Sequence, residues 1–148
     1  IRSFYWWEGK VEEEAEVRGT IDSEVSFDTL LEVLEAVHPY EVPMIVSSVH
    51  GEERDSSRYL MARAEINGTS VEVATDLAKS LVEVRYVACA QVETLDSGND
   101  HVLTIKTLRK SQDQIVIDFG GLMFDWTPMQ GNEAYLRWLD ENVKIRRQ

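Results

Sequence analysis

Cysteine is nearly absent: a single thiol, Cys89, stands in 148 residues. That excludes an internal disulfide and every zinc pattern built on CxxC, and it suits a reducing compartment. Basic residues are also scarce, 15 against 27 acidic ones, for a net charge of −12 and an isoelectric point near 4.6. So acidic a chain repels phosphate backbones, which argues against nucleic-acid binding, although it attracts cations. No apolar stretch approaches the roughly 20 residues that span a bilayer. No secretory signal opens the sequence, so no membrane partner and a cytoplasmic location are expected. Catalytic signatures are missing too: no GxSxG, P-loop, GxGxxG or HExxH occurs, and His38, His50 and His101 are scattered. An enzyme is not expected.

What is present is core material. Hydrophobic residues make up 43% of the chain, with four tryptophans. A single domain of this size buries about 68–70% of its unfolded surface.

The periodicity changes along the chain. Residues 2–21 open with aromatics and then alternate loosely around Gly9, as a long bent hairpin arm would. Over 26–37 the apolar residues Phe27, Leu30, Leu31, Leu34 and Val37 recur at helical spacing, with Ser26 placed to cap. Pro39 ends that helix, because it disfavours the α region at His38, and 42–49 reads as a strand. The charged run 50–58 is a turn to a strand at 59–66. "NGTS" follows, and Thr69 with Glu72 suggests a capping box ahead of a second helix. That helix carries Val73, Ala74, Leu77, Ala78, Leu81 and Val82 on one face. Strand character returns at 87–95, 101–108 and 114–119, and a last helix begins near Asn132. This order predicts an α+β fold: a ferredoxin-like antiparallel sheet with helices on one face, plus an added hairpin over 101–119 and a terminal helix.

Four stretches resemble the CutA family of divalent-cation tolerance proteins: "SFYWWEGKVEEEAEV" (3–17), "HPYEVP" (38–43), "ATDLAKSLVEVRYVACAQV" (74–92) and "GNEAYLRWLDENV" (131–143). The resemblance implies a ferredoxin-like fold, a homotrimer, and a role in divalent-cation, specifically copper, tolerance or binding. It points to His38 and Cys89 as cleft residues. The segment order differs from the family's. The halves 3–49 and 59–95 look exchanged, as in a circular permutation of one domain, with 96–130 as an extra hairpin region and 131–143 as the terminal helix. That combination suggests an engineered rearrangement. A ligand-free scaffold and a signalling module akin to the PII regulators are the competing expectations.

The individual motifs have plainer readings beside the functional ones. His38, Glu41 and Cys89 could share a copper or zinc site, since imidazole and thiolate suit both metals. Equally, Pro39 and Pro43 could shape a turn with His38 at a helix end, and Cys89 could be a small buried strand residue. Tyr5, Trp6 and Trp7 on one strand face both sides of the sheet, so a subunit interface is expected to cover one side. Tyr135 and Trp138 are read as core or intersubunit packing. Glu12, Glu13, Glu14 and Glu16 read more simply as a solvated arm than as a metal cluster.

Overall fold

The computed structural model describes residues 1–37, 44–48 and 57–144. Its elements run β1 (Arg2–Trp7), β2 (Lys10–Ala15), α1 (Phe27–Val37), β3 (Val46–Ser48), β4 (Tyr59–Ile66), α2 (Val71–Glu83), β5 (Cys89–Thr94), β6 (His101–Leu108), α3 (Gln112–Asp118), β7 (Asp125–Gly131) and α4 (Glu133–Asn142). The strands form one sheet in the order β2-β1-β5-β6-β4-β7-β3, with every neighbouring pair antiparallel. The α+β class expected from the sequence is the one the chain adopts.

Within that sheet, β4-α2-β5-β6-α3-β7 is a complete βαββαβ unit with strand order β7-β4-β6-β5. This is the ferredoxin-like order, and it lies uninterrupted between residues 59 and 131. The hairpin expected over 101–119 is corrected at the same place: β6 is a strand, but 112–118 is helical. The reason is topological. Strands β6 and β7 both run antiparallel to β4, which lies between them, so they are parallel to each other. Parallel strands need a crossover connection rather than a hairpin, and a helix is its usual form. The β-branched run Ile115-Val116-Ile117 resembled a strand locally, yet only Ile115 is buried.

The N-terminal segment extends this unit at both edges. β1 pairs with β5 through Arg2↔Val92 to Tyr5↔Cys89, and β3 pairs with β7. The β1–β2 connection is a two-residue turn with Glu8 at φ 49° and Gly9 at φ 84°. Positive φ at both central residues fits the natural twist of a tight hairpin, which is why glycine belongs at the second. Ser26 caps α1 as expected, its Oγ accepting from Thr29 N at 3.3 Å. The box at Thr69 does not form, since α2 starts one residue later behind Ser70, and the Thr69 carbonyl instead meets His101 Nε2 at 3.0 Å. With the Thr94 hydroxyl on Nδ1, both nitrogens of this buried histidine are satisfied.

Helices lie on both faces rather than one. Ala74, Ala78, Leu81 and Val82 of α2 and Ile115 of α3 pack on Phe4, Ala62, Ala90, Val92, Leu103 and Ile105. On the opposite face Tyr135 and Leu139 of α4 cover Ala88, Cys89, Leu108 and Met129. Full burial of the leucine, isoleucine, valine, phenylalanine and methionine side chains among these stabilises by roughly 1.5–3 kcal/mol each. The α1 helix, by contrast, has no buried residue.

Candidate functional site

His38 and Glu41 lie outside the described residues, so the metal set expected there is represented by Cys89 alone. Asn132 fixes the chain just beyond that segment: its side-chain oxygen accepts from Ile45 N, and its own N–H donates to Ile45 O, both at 3.0 Å.

Cys89 opens β5 and faces α4, with Tyr5 directly opposite on β1 and Lys106 directly opposite on β6. Its Sγ is 3.2 Å from the Tyr135 hydroxyl. Burial raises the thiol's pKa, and the nearby Lys106 and the Tyr135 hydrogen bond only oppose that rise. Burial likewise raises Tyr135, helped by Cys89, and lowers Lys106. All three groups are therefore pushed toward their neutral forms.

Lys106, 3% exposed, is the buried amine at the centre of a network that sequence reasoning missed. Its Nζ donates to Gln91 Oε1 at 2.8 Å. The Gln91 amide nitrogen donates to Ser3 Oγ at 3.1 Å, and Ser3 Oγ donates to Glu16 Oε2 at 2.9 Å. Arg18 also reaches Gln91 Oε1 at 3.4 Å and pairs with Glu93 at 3.5 Å. A signal did exist: Gln91 is the lone polar residue in the run 87–92, and Lys106 is the one lysine in the strand run 101–108. Alternation could not reveal that both point to the same face until the β5–β6 register was known.

The aromatic residues separate. Tyr135, expected in the core or between subunits, is 4% exposed within the chain's own core, stacked on Trp138 at 5.8 Å between ring centroids. Tyr5 meets the Trp138 edge at 6.5 Å, and burial with a hydrogen bond to Glu14 raises its phenol pKa. Trp6 carries the Arg85 guanidinium 4.4 Å above its ring. Only Trp7 is largely exposed, at 51%.

This cluster does not by itself fit a metal centre. A thiol flanked by an amine and two phenols offers one good ligand beside a potential positive charge. Among the described residues no group of three His, Cys, Asp or Glu side chains converges. What the arrangement does supply is alkaline sensitivity. Raised acids contribute stability that is present below their unfolded pKa and is lost as the pH climbs toward the folded value. Stability should therefore begin to fall above the ordinary thiol value of 9.0, and Cys89→Ala should flatten the first part of the decline in urea melts from pH 8 to 10. Lys106 acts in the opposite sense, gaining stability up to its ordinary value of 10.5. An unchanged slope in Cys89→Ala would refute the assignment.

The resemblance read from the sequence is borne out. Residues 1–61 match the family described as "CutA1 divalent ion tolerance protein". The chain is similar to the divalent-cation tolerance protein CutA of Pyrococcus horikoshii, 46% identical over 46 residues that make up 30% of this chain and 45% of that protein. The CutA protein of Thermococcus kodakarensis is 50% identical over 44 residues, 29% of this chain and 42% of the relative. For Pectobacterium atrosepticum CutA the figures are 41% over 63 residues, 41% and 57%. The chain thus spans about half the length of the curated relatives it matches. A crystal structure of the divalent ion tolerance protein CutA1 from Ehrlichia chaffeensis aligns with a TM-score of 0.45 at 13% identity, covering 60% of this chain and 98% of that one. No described helix is long and apolar enough to cross a membrane.

Proposed function

We propose that the protein acts in divalent-cation tolerance, with copper as the cation and a homotrimer as the working form. The observation that carries this reading is the match of residues 1–61 to the divalent ion tolerance family, supported by a net charge of −12 that favours cations over anions. The sheet also ends in two edge strands, β2 and β3, whose outer backbone groups suit pairing with further copies. His38, Glu41 and Cys89 are the proposed ligands, with Cys89 giving up its contact to Tyr135 on binding, and no catalytic step is assigned.

Light scattering should return about three times the 17.0 kDa chain mass. Calorimetric titration with copper should then show stoichiometric binding that weakens at least tenfold, about 1.4 kcal/mol, in His38→Ala and in Cys89→Ala. The burial of Cys89 favours one competing reading, a scaffold without a ligand. A flat titration of the trimer would select that scaffold and end the copper proposal.

A further inference from the structure

The buried thiol, amine and phenol at Cys89, Lys106 and Tyr135 are covered on one side by α4 and on another by β1, whose Tyr5 lies directly opposite Cys89. These two covers differ in how they are attached. α4 is held by the buried side chains Tyr135 and Leu139 and by the contacts of Asp140 with Arg58 and the Tyr59 hydroxyl. The β1–β2 arm joins the ferredoxin-like unit along one seam of four residue pairs, Arg2 to Tyr5 against Cys89 to Val92, with Phe4 buried against α2 on the other face. Its outer strand β2 has no buried residue and carries three of the chain's glutamates.

What fixes the arm on this face is polar. The chain of contacts from Lys106 to Gln91, Ser3 and Glu16 crosses β6, β5 and β1 and ends just beyond β2, which is the spatial order of the sheet. Gln91 accepts from the Lys106 amine with its oxygen and donates toward the carboxylate side with its nitrogen. The amide thereby connects the buried Lys106 amine to Glu16 across the seam. We propose that the β1–β2 arm is a lid over the Cys89–Lys106–Tyr135 cluster, latched by the Lys106–Gln91–Ser3–Glu16 relay. Lifting the arm removes Tyr5 from the thiol, lets water reach it beside an amine, and turns an inert buried cysteine into a reactive one. Such an opening is a local event that costs less than unfolding the whole chain. It holds whether or not a cation binds.

Cys89 is the only cysteine, so its alkylation by N-ethylmaleimide reports on the lid without ambiguity. Native protein should label at a rate that depends only weakly on urea below the unfolding transition. Glu16→Gln, which keeps the shape but removes the charge at the end of the relay, should raise that rate roughly tenfold or more. Amide exchange at Ser3, Phe4 and Tyr5 should accelerate in parallel. Ile115→Val, a cavity in the core beneath α3, should lower global stability and leave the labelling rate unchanged. The proposal is overturned by labelling that rises with the full urea dependence of global unfolding. It is equally overturned by a Glu16→Gln rate equal to wild type, or by β1 amides that stay protected while the thiol reacts, since α4 would then be the cover that moves.

Discussion

Gln91→Leu should destabilise the protein by about 1–3 kcal/mol, more than the loss of one exposed hydrogen bond, because it leaves the buried Lys106 amine without its acceptor. Gln91 supplies the partner that Lys106 has in this structure, at 2.8 Å, on a strand position with 5% exposure. An apolar leucine there leaves the amine without that acceptor beside Cys89 and Met61. The decisive control is the second substitution. Lys106→Met removes the charge and keeps most of the volume, and it should restore most of what Gln91→Leu lost, because apolar replacement of a whole buried polar pair is often nearly neutral. Urea denaturation of the wild type, both single variants and the double variant forms a cycle with a coupling of about 2 kcal/mol or more. Additive costs would mean that Gln91 and Lys106 are energetically independent, whatever their distance.

Phe4→Ala should cost about 3–5 kcal/mol. Phe4 is fully buried at the centre of β1, packed against α2 and the β5–β6 face, with Lys79 Nζ 5.7 Å from its ring centroid. It is the one deeply buried apolar side chain that the arm contributes among the described residues, so its loss falls on the seam between arm and unit. Amide exchange should show β1 and β2 losing protection first, while β4, β6 and α2 hold theirs. A denaturation midpoint within about 1 kcal/mol of wild type would mean the arm is held by its backbone pairing alone.

Much of the secondary structure was legible because the periods are strong. The stripe of α1 with its Ser26 cap, the alanine-rich face of α2, and the strands around Cys89 and at 101–108 all follow from spacing alone. The α3 segment was not legible. Three β-branched and apolar residues in a row read as a strand, and only the need to cross over β4 makes them helical. The candidate site was legible in part. Cys89 stands out as the sole thiol, but its partners come from β1, β6 and α4, which are 84, 17 and 46 residues away in sequence at Tyr5, Lys106 and Tyr135. No local pattern carries that information.

The sequence by itself determined the acidic character, the absence of disulfides, the α+β class and the resemblance of four stretches between residues 3 and 143 to cation-tolerance proteins, since composition, period and motif are local properties. Tertiary structure alone decided that the ferredoxin-like unit runs from β4 to β7, that Tyr135 turns inward, and that Lys106 shares a buried layer with Gln91. Those depend on strand order and register, and a shift of one residue in the register of β5 or β6 would send Gln91 or Lys106 to the opposite face.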